Sequence, residues 1–121
     1  MPINGSAIES LFDYEIMSRD FIVSAPRTEK SQYDRIVDTK KKLYRVQIKA
    51  RRGNGAKSLM VRVLKGNYGE YTKVDADIIA LYIEDNKSWY LIPVERCKKT
   101  FRINIVKDKQ DRFKNNWSIF K

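Results

Sequence analysis

Apolar residues recur at near-helical spacing at the start of the chain, at Ile8, Leu11, Phe12 and Ile16, and predict a helix over about Ala7 to Ser18 capped by Ser6 or Asn4. Glu9 lies beside that stripe rather than opposite it. A carboxylate there either reaches the edge of a helix–sheet contact or simply favours the positive helix N-terminus. The period then shortens. Phe21 to Ala25, ended by Pro26, reads as a first strand, and Arg27 to Gln32 as a polar loop. Tyr33–Asp38 and Leu43–Lys49, rich in β-branched Ile36, Val37, Val46 and Ile48, flank the charged run Thr39-Lys40-Lys41-Lys42 and predict a hairpin. Beyond the basic turn Arg51–Lys57, Ser58 to Lys65 alternates as a further strand, and Gly66–Gly69 is turn-rich. Ile78–Ile83 is apolar enough for a buried central strand, with Asp77 capping or orienting its start. Trp89–Pro93 is its antiparallel neighbour, stopped by Pro93. Phe101 to Val106 suggests an edge strand and Asp108 to Asn116 a short helix. A helix, a run of strands and a terminal helix predict one α+β, or mixed-sheet α/β, domain over residues 1–121.

Charge narrows the partner. Lys plus Arg outnumber Asp plus Glu by 25 to 15, and a net charge of +10 favours a polyanion. Charge alone does not separate nucleic acid from an anionic membrane. No apolar stretch approaches a spanning helix, however, and Met1-Pro2-Ile3-Asn4-Gly5 lacks the blocks of a signal peptide, so an intracellular protein is expected. Cys97 is the only cysteine, which excludes an intrachain disulfide and a cysteine-rich zinc site. The chain has no histidine, so histidine-dependent nuclease chemistry and activation of Cys97 by a histidine base are excluded. Carboxylate-bound metal assisted by lysine remains as a hydrolytic route.

The hairpin gathers that chemistry. If its loop has four residues, Asp38 faces Leu43, the register sets Asp34 opposite Gln47, and Lys49 points to the same side. A carboxylate, an amide and an ammonium then share one face, with opposed Cβ atoms roughly 5 Å apart. Alternation of Arg45, Gln47, Lys49 and Arg51 with Val46 and Ile48 is also what any half-buried strand shows. Asp38 lies on the same side but nearer the loop, where neighbouring lysines pair with it.

Asp34, then Gln47-Ile48-Lys49, preceded by Glu9 on a helical segment, resembles the active-site signature of the PD-(D/E)XK nuclease superfamily. That group includes restriction enzymes, archaeal-type Holliday junction resolvases and small homing endonucleases. Two positions depart from the pattern: Tyr33 stands where proline usually precedes the aspartate, and Gln47 replaces an acidic residue. The Gln-x-Lys form is similar to that of a small intron-encoded homing branch, and Tyr71, Asp77 and Pro93 resemble the later pattern of the small resolvase-like and homing branches, where their expected roles are structural.

The resemblance implies a restriction-endonuclease-like mixed sheet flanked by helices, with Glu9, Asp34, Gln47 and Lys49 as catalytic residues. It further implies Mg²⁺, for which Mn²⁺ substitutes, held by Asp34, by Glu9 directly or through water, by the Gln47 side-chain oxygen and by the Ile48 carbonyl. Lys49, with an ordinary pKa of about 10.4, is expected to act as a positioned cation rather than a base. Gln47 removes one negative charge, so weaker metal binding or a single ion is expected. Arg45, Arg51, Arg52 and Lys57 are candidate phosphate contacts, as are Lys40–Lys42, Lys107, Lys109, Arg112 and Lys114. Tyr68, Tyr71 and Trp117 either stack on bases or pack in the core. The expected activity is metal-dependent DNA cleavage by a homodimer or larger symmetric assembly. Small size makes a four-way junction read by shape, bound and nicked in preference to linear duplex, the expected substrate, and the Gln-x-Lys form points to the alternative, a homing or restriction-like nuclease that cuts a defined duplex site. A noncatalytic DNA-binding protein whose motif has decayed at Gln47, and an RNA- or ribosome-associated basic protein, are the other readings.

Overall fold

The computed structural model describes residues 3–61, 69, 71–98, 101–105 and 112–121. Helix α1 (Gly5–Met17) starts at Asn4, whose side chain accepts the Ala7 N–H, and it buries Ile8, Phe12 and Ile16. Its end is turned by Asp20, which adopts a left-handed φ of 62° that a short polar side chain tolerates. Strands β1 (Ile22–Ser24), β2 (Arg35–Asp38), β3 (Leu43–Arg51), β5 (Ile78–Ile83) and β6 (Ser88–Pro93) form a sheet in the order β1-β2-β3-β5-β6. Every pairing is antiparallel except β3 with β5. Two further strands, β4 (Ser58–Val61) and β7 (Phe101–Asn104), pair with each other as a separate antiparallel ribbon. Short 3-10 helices cover Val94–Lys98 and Trp117–Ile119.

Both faces of the main sheet are covered, and residue parity shows how. On the helix side Tyr44, Val46, Ile48, Ile78, Ala80 and Leu91 pack with Ile8, Phe12 and Ile16. Trp89 and Trp117 close this layer, with Phe12 edge-on to Trp89 at 5.5 Å and tilted against Trp117 at 6.2 Å. On the other side Ile79, Leu81, Ile83, Tyr90 and Ile92 pack with Val61 and Ile103 of the β4–β7 ribbon. Every residue of β5 is therefore buried, as its unbroken apolar run requires. β3 differs. Its helix side is apolar, but Arg45, Gln47 and Lys49 face the other way and are only partly buried.

Several expectations change. Leu43 does face Asp38, and the loop between them is held by the Asp38 carboxylate accepting the Lys40 N–H at 2.7 Å. The segment Phe101–Asn104 pairs with β4 rather than lying at the edge of the main sheet, and the strand predicted to Lys65 is described only to Val61. Of the helix predicted over 108–116, residues 108–111 lie outside the described residues and 112–116 are not helical. Leu91 donates to the Phe113 carbonyl at 2.9 Å and Asn115 donates to the Trp89 carbonyl at 2.6 Å. That segment thus lies along the outer edge of β6 and covers groups an edge strand would leave unpaired. Among the described residues no helix is long and apolar enough to cross a membrane.

Phe12 is fully buried at the meeting of helix and tryptophans, whereas its neighbour Leu11 is 44% exposed. Phe12→Ala should cost about 3–5 kcal/mol by leaving a cavity, while Leu11→Ala should change stability by only roughly 0.5 kcal/mol. Urea denaturation of the two variants checks this contrast, and equal losses would contradict it.

Candidate active site

A mismatch in strand length opens the site. β3 runs for nine residues, but β2 pairs only with its first part and its last regular pair is Arg35 with Val46. One step further, regularity would set Asp34 against Gln47. Instead the Asp34 N–H donates to the Val46 carbonyl at 2.8 Å, so Asp34 and Arg35 both oppose Val46 as in a β-bulge. The expectation that Asp34 directly faces Gln47 is corrected to this extent. Its carboxylate reaches along β3, where Oδ2 accepts the Ile48 N–H at 2.8 Å. The side chain thereby satisfies a backbone donor that β2 no longer serves.

The notch beyond the bulge is a cavity of about 160 Å³ lined by Gly5, Ile8, Glu9, Asp34, Gln47, Ile48, Lys49 and Ala50. Glu9 enters from α1, on the helix side of the sheet, and Gln47 and Lys49 stand on the opposite side of β3. They meet because β2 has withdrawn from the intervening edge. The structure thus brings Glu9, Asp34, Gln47, Ile48 and Lys49 together around one opening.

Two residues that sequence reasoning missed organise the acidic side. The Arg35 guanidinium donates from Nε and Nη2 to the two Asp13 oxygens at 2.8 and 3.2 Å. Its Nη1 donates to Glu9 Oε1 at 3.1 Å and to the Asp34 carbonyl at 2.8 Å. The Asp13 hydrogen bond, then the charges of Asp13, Glu9 and Asp34, raise the Arg35 pKa against the opposing effect of burial. The available signal was the spacing Glu9-x-x-x-Asp13, which puts both carboxylates on one helix face beside an arginine that follows Asp34.

Lys49 closes the other side. Its ammonium lies 5.5 Å from the centre of the Tyr71 ring, which is itself buried. Burial pushes the Lys49 pKa down, the Arg51 charge adds to this, and the Asp34 charge opposes it. Tyr71 is raised by the same burial and by the charges of Asp34 and Asp75.

The donor set suits a hard divalent cation. The Glu9 and Asp34 carboxylates, the Gln47 side-chain carbonyl and the Ile48 main-chain carbonyl are oxygen donors, the ligand type that Mg²⁺ and similar ions take. Asp34 Oδ1 and Glu9 Oε2 have no partner among the described residues. Gln47 Nε2 donates to the Ile48 carbonyl at 3.4 Å, a long hydrogen bond that the amide would exchange for ligation through its oxygen. Among the described residues no cluster of three or more Asp, Glu, His or Cys side chains is placed to hold a metal, so the neutral oxygens are needed to complete the set.

The basic residues divide. Arg51 and Lys57 are exposed and follow the site along the chain. Arg52 is bonded to Glu84 at 2.8 Å. Arg45 is engaged, its partly exposed guanidinium donating to the carbonyls of Val74 and Lys73 and to the Asp77 carboxylate, so a phosphate would have to compete for it. Burial pushes the Asp77 pKa up, but hydrogen bonds from the Arg45 backbone and side chain outweigh it and hold the carboxyl below its ordinary value. Asp77 therefore fastens the start of β5 to β3. The turn after β3 is fixed by Asp85, which accepts the Gly53 N–H at 2.6 Å and the Gly55 N–H at 3.2 Å. A Cβ at Gly53 would lie 2.5 Å from Ile105 Cδ1, so only glycine fits there without a shift. Lys40–Lys42 are exposed in the hairpin loop, and Arg112 lies over the Phe113 ring. Tyr68, Lys107 and Lys109 lie outside the described residues. Trp117 packs in the core beneath Arg19, whose guanidinium is 4.4 Å from its ring. Cys97 is buried, which pushes its thiol pKa up to about 12 and leaves it inert as a nucleophile.

The family model described as PD-(D/E)XK endonuclease matches residues 4–119. No curated protein sequence matches the chain. Among solved structures, the bacterial homing endonuclease I-Ssp6803I is similar with a TM-score of 0.72 and 20% identity, over 95% of this chain and 88% of that one. The Holliday junction resolvase Hjc of Archaeoglobus fulgidus, an archaeal hyperthermophile, is similar with a TM-score of 0.52 and 17% identity, over 84% of each chain. The fold is the restriction-endonuclease-like mixed sheet of these proteins.

The depressed Lys49 pKa has a stability consequence. The folded chain binds this proton less tightly than the unfolded one, so the ammonium costs stability at pH values below its folded pKa. That cost fades as pH rises toward the ordinary value of 10.5. Lys49→Met should therefore raise the urea midpoint at neutral pH, with the gap to wild type narrowing under alkaline conditions. Equal midpoints at neutral pH would show that Lys49 is not desolvated.

Proposed function

The chain belongs to the PD-(D/E)XK endonuclease family, and we propose that it hydrolyses phosphodiester bonds within DNA, using Mg²⁺ held in the notch between α1 and β3. Nucleases of this family generally use divalent metal ions. The observation that carries the reading is the convergence of two carboxylates, an amide, a main-chain carbonyl and a partly buried ammonium on one cavity. A bound divalent cation would supply charge stabilisation and lower the pKa of a water bound to it, so that a nucleophile is available at neutral pH.

The chain's own groups supply the rest. Asp34 is locked by the Ile48 N–H and presents Oδ1, Glu9 presents Oε2, and Gln47 adds a neutral oxygen in place of a third charge. Lys49 faces the scissile phosphate as an ammonium, orienting the attacking water and stabilising the charge that develops on the phosphoryl oxygens. Arg51 and Lys57 contact flanking phosphates and position the strand without reading its sequence. Residues 1–121 act as one nuclease unit, and two copies serve the two strands of a symmetric cut.

A defined duplex site is the favoured substrate. Its support is the Gln-x-Lys form together with the greater likeness to the homing endonuclease, with a TM-score of 0.72 against 0.52 for the resolvase. The four-way junction is the second reading, supported by the resolvase likeness and by the small domain. Each good base contact gives only about 1–3 kcal/mol of discrimination, so a long site needs many of them.

Asp34→Ala and Lys49→Ala should each reduce plasmid cleavage in Mg²⁺ by at least about a hundredfold, as loss of a transition-state contact does. Filter binding of the same variants should retain most of the DNA affinity, and a chelator should abolish wild-type cleavage. Near wild-type cutting by either variant would place the chemistry elsewhere. Competition between a randomised duplex library and a four-way junction separates the substrates: enrichment of one cut sequence with the junction intact is expected, and paired nicking of the junction alone would reverse the choice.

A further inference from the structure

The acidic half of the notch is held by a side chain that the proposed chemistry does not use. Arg35 is only 17% exposed, and its guanidinium bridges two elements. One edge grips both oxygens of Asp13 on α1, and Nη1 joins Glu9 to the main chain of Asp34. Glu9 and Asp13 are one helical turn apart, so the fork on Asp13 determines where Nη1 can point.

We infer that Asp13 is a positioning residue that holds Arg35 partly off Glu9 and thereby sets the affinity of the notch for a divalent cation. This rests on the metal-site reading above and deepens it. Arg35 stands next to the carboxylates as a resident cation, and a metal approaching Glu9 competes with it. Asp13 tempers that competition by taking two of the guanidinium's hydrogen bonds and part of its charge. Without the Asp13 carboxylate, Arg35 leans wholly on Glu9 and withholds it from the metal. Without both partners, Glu9 loses its orientation but also its competitor. A pair that merely staples α1 to β2 predicts no such reversal.

The test is calorimetric titration of DNA-free protein with Mn²⁺, alongside thermal melts that confirm folding. Glu9→Gln and Asp13→Asn should each weaken Mn²⁺ binding by roughly tenfold, the usual effect of losing a ligand or a group that orients one. Asp13→Glu, which keeps the charge, should stay near wild type, and Asp13→Asn combined with Arg35→Gln should recover most of the loss. Asp13→Ser serves the same comparison if Asp13→Asn does not fold. If Glu9→Gln weakens binding but Asp13→Asn does not, or the double variant shows no recovery, the role of Asp13 in restraining Arg35 is overturned and the metal site stands. If Glu9→Gln leaves Mn²⁺ affinity unchanged, the metal site itself is overturned and the inference falls with it.

Discussion

The contact on which the site depends is the hydrogen bond from the Ile48 N–H to the Asp34 carboxylate at 2.8 Å. A strand that loses its neighbour leaves donors that must be satisfied, and here a carboxylate satisfies one of them. The same bond fixes one carboxylate oxygen and frees the other. Because Asp34 and Arg35 both oppose Val46, the chain turns away from β3 at this point and leaves an opening. Fold and chemistry are therefore set by one local irregularity, which is how bulges beside active sites commonly work.

The rest of the structure makes that irregularity tolerable. β5 and β6 are covered on both faces and supply a rigid support, to which β3 is joined in parallel and fastened by Asp77. With stability secured there, β3 can present Gln47 and Lys49 to a wet opening on one side while Val46 and Ile48 anchor it on the other. Lys49 is held in an unfavourable place, partly desolvated and near Arg51. A site that opposes folding while the core supports it is a common division of roles.

Much of this was legible in the sequence where local period decides structure. The helical stripe of α1, the hairpin register at Asp38 and Leu43, and the unbroken apolar run of β5 each carry their own signal. What escaped depends on partners distant in sequence. The pairing of Ser58–Val61 with Phe101–Asn104 has no local mark, and the segment after residue 111 follows β6 because Trp89 and Leu91 bond to it. Arg45 looked free for phosphate because its partner Asp77 comes 32 residues later. Glu9, Asp34, Gln47 and Lys49 could be grouped from spacing and resemblance. The bulge could not, since Asp34 and Arg35 alternate like any strand, and with it went the role of Arg35 as a bridge to Glu9 and Asp13.

Everything proposed for the site requires a divalent cation to bind where β2 leaves β3. Crystals of the protein grown with Mn²⁺ and measured for anomalous scattering test it directly. One peak is expected in the notch, within about 2.0–2.6 Å of Asp34 Oδ1 as oxygen ligands of hard cations lie, with Asp34 Oδ2 still bonded to the Ile48 N–H. A peak elsewhere with the notch empty, or an Asp34 carboxylate turned away from β3, would contradict it.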